Sequence, residues 1–256
     1  MKFEYVIGVE LPEDARRKLE KALKEAIKVA RVPADVVFVH VVDSHDIVRE
    51  ILNIKKPPVE YEEKPVKLFL DYDTLEPVLS IRRDAIELSF DDLVLEIARE
   101  LTTYEAIMDP IHVDKWAIPE DRPATPLDAL LSTAMLLRTV DSILTERGLD
   151  EKLVTRFETQ ELPAFANIAE SPEKPKIKAL QALSWDLPLS LELGGRKEVG
   201  ERLFLEAAKR VVLNKRFVNQ YEDFRTYSRQ NFYFENVREY LELAFEEEEN
   251  QEENRG

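Results

Sequence analysis

The 256-residue chain has no cysteine, six glycines and three histidines. The first absence rules out a disulfide framework, a thiolate zinc site and a thiol nucleophile. Scarce glycine leaves little room for a phosphate-cradling loop. Gly194-Gly195 is the only adjacent pair, and neither a Walker motif nor a dinucleotide fingerprint surrounds it. The pair opens onto Arg196 and Lys197 and reads as a turn. Positive charge is also in deficit, with 36 Lys and Arg against 52 Asp and Glu and a net charge of −16. Phosphate affinity depends on clustered cations, so no nucleic-acid partner is expected. The one local exception, Lys209, Arg210, Lys215 and Arg216, reads as a solvated face. No apolar run approaches the ~20 residues that cross a bilayer. The opening MKFEYVIGVELPEDARR lacks the successive regions of a signal peptide. A cytoplasmic protein without a membrane partner is the expectation.

What is present is a globular composition, 44 % hydrophobic and 34 % charged, long enough for one large core or two small ones. Few glycines and abundant Glu, Lys and Arg match a thermophilic habit, in which ion-pair networks lose less to desolvation. Residues 3–9 alternate as a half-buried strand, and Leu11-Pro12-Glu13-Asp14 starts a helix with a stripe of Leu19, Leu23, Ala26, Ile27 and Ala30. Val36–Val42 is a β-branched run suited to a buried strand, followed by a short helix capped by Asp43 or Ser44. Strands are expected at Val66–Tyr72, Pro77–Ile81 and Ala85–Leu88, after a loop over 53–65.

From Ser89 onward the periodicity is helical, starting with a capping-box pattern at Ser89 and Asp92 and repeating at Thr125-Pro126-Leu127-Asp128. Later helices are expected near 150–160, 173–186, 196–213, 216–230 and 234–248. The fold class is therefore α+β: a mixed sheet with packed helices in residues 1–108 and an all-helical region in 125–248. A Pro-rich, extended connector spans 109–124, and an acidic, disordered tail spans 249–256.

The stretch AIELSFDDLVLEIARELTTYEAIM, an apolar segment, a cap and a long amphipathic helix, resembles the strand and active-site helix of the zincin metallopeptidases. Leu95-Glu96-Ile97-Ala98-Arg99 stands where that family carries His-Glu-x-x-His. The resemblance implies Glu96 as the surviving general base, Arg99 as a fixed cation in place of a ligand, and no working zinc site. On a helical wheel Phe90, Val94, Ile97, Leu101, Tyr104 and Met108 form the core stripe, with Leu95, Glu96 and Arg99 opposite it.

His40, Asp43 and His45 make the best metal cluster that spacing offers, although no metal is expected. The opening VIGVELPEDARRKLEKAL also resembles the first strand and helix of the two-histidine phosphoesterases. The positions matching that family's His-x-Thr/Ser motifs, His40-Val41-Val42 and His112-Val113-Asp114, lack the hydroxyl. Catalytic candidates are thus Glu96, Arg99 and His112, and no cofactor is expected. The sequence reading favours a non-catalytic, zincin-like interaction or ligand-binding protein, with a hydrolase using His40, His45, Glu96 or His112 as the alternative. It leaves the protein or small-molecule partner and the oligomeric state open.

Overall fold

The structure, a computed structural model, describes residues 2–7, 9–55, 64–71, 73–121 and 123–253. It is α+β, with every described strand in the N-terminal half and only helices in the C-terminal half. The chain divides into two compact units, 1–108 and 109–256.

In the first unit β1 (Lys2–Ile7), β2 (Val36–Val42), β3 (Val66–Leu70) and β4 (Pro77–Arg82) form one sheet in the order β1-β2-β4-β3. β1, β2 and β4 run parallel and β3 is antiparallel to β4. Parallel neighbours need a crossover, which α1 (Glu13–Val29) supplies between β1 and β2. Because side chains alternate, the sheet sorts its residues by parity. Phe38, Val42, Val78 and Phe69 form a small core under Val48 and Leu52 of α2 (His45–Ile51) and its end. Val37, Val39, Val41, Leu79 and Ile81 line the opposite face and are wholly buried. The unit's remaining helices cover that face: α1, with Leu19, Ala22, Leu23 and Ala26 buried, and α3 (Phe90–Met108).

Two local expectations change here, and others fall on residues that are not described. Residues Arg83–Glu87 form a 3-10 turn rather than leading into a strand at Ala85–Leu88. The run is too short to reach a partner before Ser89 caps α3 by accepting from Asp92 N at 3.1 Å. The expected strand end at Tyr72, and most of the expected loop at 56–63, lie outside the described residues. The α3 stripe is also wider than a simple amphipathic pattern. Leu93 through Ala98 are all buried, whereas Phe90 and Met108, assigned to the core stripe, are 40 % and 37 % exposed.

Helices are the only regular elements among the second unit's described residues. A helix, α4 (Pro110–Trp116), replaces the extended start expected for the connector. Asp109 caps it by accepting from Ile111 N at 3.0 Å, and Pro110 occupies its first turn. That is the signature seen again at α5 (Pro126–Glu146), where Thr125 and Asp128 close a full capping box. α6 (Asp150–Arg156) passes through a π turn at Phe157–Glu161 into α7 (Leu162–Glu170). Pro163 has no N–H to give the α ladder, and the wider turn absorbs that missing bond.

α8 (Pro175–Ser184), α9 (Leu187–Leu193), α10 (Lys197–Arg210), α11 (Lys215–Gln230) and α12 (Phe234–Glu253) follow. α9 is absent from the sequence expectation for a physical reason. Leu187 through Glu192 are all buried, so no polar face produces a period. Two glycines let its neighbours close in. A Cβ on Gly194 would lie 2.6 Å from Thr145 Cβ of α5, and one on Gly200 of α10 would lie 2.6 Å from Glu192 Cγ. Gly194-Gly195 thus ends α9, with Gly195 at φ +88. Arg196 pairs with Asp150 at 2.9 Å. The acidic stretch is helical as far as Glu253; residues 254–256, on which the expectation of a disordered tail also falls, lie outside the described residues.

Candidate functional site

β2 ends where α2 begins, and the register sets His40 beside Ser80 of β4. Ser44 caps α2 by accepting from Asp46 N at 3.3 Å, which turns His45 back over the same sheet face. His45 Nδ1 then lies 2.7 Å from Ser80 Oγ, and Nε2 lies 2.7 Å from the Lys64 carbonyl oxygen. A carbonyl only accepts, so Nε2 carries a proton, and in the neutral ring Nδ1 accepts from the serine hydroxyl. This is a nucleophile, base and orienting group in sequence. Ser80 is nevertheless 0 % exposed and His45 1 % exposed. As placed, the hydroxyl has no open side from which a carbonyl or phosphate could approach.

The triplet suggested by spacing does not assemble. Among the described residues, the ligand atoms of His40, Asp43 and His45 do not gather at one point. Asp43 points to solvent and pairs with Arg83 at 3.1 Å. His40 is buried, which pushes its pKa below the ordinary value of 6.5 and favours the neutral ring.

On α3, Glu96 is buried at 8 % exposure, although it lies opposite the expected core stripe. Arg99 is half-buried. Leu95, at the first ligand position of the zincin comparison, is 2 % exposed. Two further glutamates on this helix do structural work. Glu100 accepts from Leu68 N of β3 at 2.8 Å and from Lys64 Nζ at 3.0 Å, and Glu105 accepts from Arg31 N at 3.0 Å. They close two backbone donors, one on strand β3 and one just past the end of α1, that secondary structure leaves open. His112 belongs to the second unit, on α4, with Nε2 4.0 Å from Asp109 Oδ2.

The densest polar site lies in the second unit, and the sequence reading does not single it out. Asp186 caps α9 by accepting from Leu189 N at 2.9 Å, and it also accepts from Tyr221 Oη at 2.9 Å and Arg225 Nε at 3.0 Å. Arg225 Nη2 lies 2.6 Å from Glu192, which Arg229 meets at 2.8 Å before reaching Glu201 at 3.1 Å. The Arg225 guanidinium lies over the Phe204 ring, 4.5 Å from its centroid. Burial, and then the Asp186 carboxylate, push the Tyr221 pKa well above 10.0, so the phenol stays a neutral donor. Burial alone would lower Arg225, but Asp186 and Glu192 outweigh it and raise its pKa. Every strong group in the cluster holds another, which makes it a strut between α9 and α11. One hint was legible: Arg225 falls within the stripe Phe217, Val218, Tyr221 and Phe224 of α11, otherwise apolar.

Comparison with known proteins adds no family: no family model, curated protein or solved structure matches this chain.

Proposed function

We propose that the protein acts through its surface, as a non-catalytic interaction or ligand-binding protein. The observation that carries this reading is the fate of the best catalytic pair. Ser80 and His45 are fully buried, and both imidazole nitrogens are committed, to the serine and to the Lys64 carbonyl. A general base needs a free path to substrate, and here the pair joins β4 to α2 instead. On this reading the zincin resemblance is one of order along the chain, with leucine and arginine at the two ligand positions of α3.

The hydrolase alternative has one observation in its favour, the same 2.7 Å contact between Ser80 and His45. A single experiment separates the two. Purified protein is assayed against peptide and phosphodiester substrates with and without added zinc or magnesium, beside Ser80→Ala. The interaction reading expects no turnover above background. It also expects a loss of about 1–3 kcal/mol in Ser80→Ala, because His45 Nδ1 is left buried without its donor. Turnover that disappears in Ser80→Ala or His45→Gln would establish the hydrolase instead.

A further inference from the structure

Arg138 lies in the middle of α5 and is 1 % exposed, so its guanidinium is shut off from bulk solvent. A guanidinium presents five N–H groups in a fixed fork. At Arg138 one of its nitrogens is engaged, Nη2, which lies 3.1 Å from Asp141 Oδ2. Among the described residues Nε and Nη1 meet no acceptor, and both atoms are buried. Buried donors on a charged group are among the most costly to leave unmet, and native interiors satisfy nearly all of them.

The packing of α9 on α5 brings a second unmet group to the same place. Gly194 of α9 sits against the Ser142 carbonyl oxygen and Thr145 Cβ of α5. Arg196, just beyond it, pairs with Asp150 at the start of α6, which follows the end of α5. The two helices therefore run the same way and finish together. One turn back from Gly194 is Ser190, and one turn back from Ser142 and Thr145 are Arg138 and Asp141, on the same faces. Ser190 is 0 % exposed, and its Oγ has no partner among the described residues. The hydroxyls of α5 differ, because each is spent on its own helix. Thr139 donates to the Met135 carbonyl at 2.9 Å, Ser142 to Thr139 at 2.8 Å and Thr145 to Asp141 at 2.8 Å. None of them is aimed across the contact, and the Ser190 hydroxyl is not tied back in this way.

We propose that the α5–α9 contact is a binding site for buried water, held by Arg138 Nε and Nη1 and by Ser190 Oγ. Charge is already met here: Asp141 pairs with Arg138, while Asp186 and Glu192 pair with Arg225 and Arg229. What Arg138 needs is therefore acceptors and not a further negative charge. A bound anion would add an uncompensated charge to a buried, balanced set. Water accepts without adding charge, and it can also donate onward to the serine oxygen. Nε and Nη1 lie on different edges of the fork, so each needs its own oxygen. The bound water then joins α5 to α9 on the side where the Asp186 and Glu192 strut joins α9 to α11. This inference is independent of the interaction reading above.

The test is a high-resolution crystal structure of the full chain, grown with sodium bromide in place of chloride and measured at the bromine edge. The expected result is density about 2.7–3.2 Å from both Nε and Nη1, without an anomalous signal. An anomalous peak beside Arg138 would overturn the proposal in favour of a halide site. Protein acceptors reaching both nitrogens, or no density at either, would overturn it outright. A solution measurement asks whether the water links the two helices. Urea midpoints are compared for the wild type, Ser190→Ala, Arg138→Lys and the double variant. Ser190→Ala should lower the midpoint, because the water loses a partner; a hydroxyl that holds nothing would leave it unchanged or raise it. The loss in the double variant should be smaller than the two single losses together, since either change breaks the same bridge. Strictly additive losses would overturn the bridge. If a variant does not fold, the crystal structure of the wild type still decides the question.

Discussion

Replacing Gly200 with alanine sets two effects of opposite sign against each other, and the structure decides which wins. In an open helix interior the change gains about 1 kcal/mol from helix propensity. At Gly200 the new Cβ would press on the Pro188 carbonyl oxygen, well inside van der Waals contact, and lie 2.6 Å from Glu192 Cγ. The first neighbour is backbone and cannot rotate away. Nor can α9 retreat, because Gly194 already seats it against Thr145 and Ser142 of α5. Glu192 could move only by loosening its contacts to Arg225 at 2.6 Å and Arg229 at 2.8 Å. Overpacking of this kind costs about 1–3 kcal/mol, before any loss from the ion pairs. Loosening the Glu192 contacts adds about 1 kcal/mol, which offsets the propensity gain and leaves a net destabilisation of about 1–3 kcal/mol, or about 2–4 °C in melting temperature for each kcal/mol. The assay is urea denaturation followed by tryptophan fluorescence. Trp116 and Trp185 both lie in the second unit, so the signal reports that unit alone. A variant as stable as the wild type, or more stable, would refute the close approach of α10 to α9.

Three further expectations use the same logic elsewhere. Arg225→Met should cost about 3–5 kcal/mol in the same assay, because it removes the guanidinium that Asp186 and Glu192 share while both carboxylates stay buried; a loss below about 1 kcal/mol would mean that the cluster is solvated. Leu101→Ala, at a position 0 % exposed on α3, should cost about 2–5 kcal/mol by cavity formation, with chemical denaturation followed by far-UV circular dichroism as the check. His40 binds its proton less readily folded than unfolded, since burial holds its pKa below 6.5. The unfolded chain therefore takes up more protons as pH falls from about 6.5 toward the folded value, and stability should drop across that window. His40→Gln should flatten the His40 part of that slope, and an unchanged pH dependence would show that the ring is solvated when folded.

The sequence determined what short-range chemistry controls. Strand alternation and β-branched runs marked β1, β2 and β4. Serine, threonine and aspartate before proline or acid marked the starts of α3 and α5, where cap geometry is set within four residues. The same signature at Asp109-Pro110 was present, and the proline-rich stretch after it obscured it. Absences were equally legible, since a chain without cysteine has no disulfide, thiolate ligand or thiol nucleophile. Only the tertiary structure decided how side chains far apart in sequence spend their polar atoms. Spacing brings His40, Asp43 and His45 together on paper. The sheet register instead gives His45 to Ser80, 35 positions away, while Asp43 turns to Arg83. Glu96 sits on the polar side of its own helical wheel, yet it is buried because residues on both sides of α3 meet neighbours. α9 left no periodic trace because it is covered all round, and Asp186 meets Arg225, 39 positions away, where two glycines let α9 pack closely against α5 and α10. Propensity and caps act within a few residues of chain, whereas burial and charge pairing act through space, and the second set fixes where chemistry can occur.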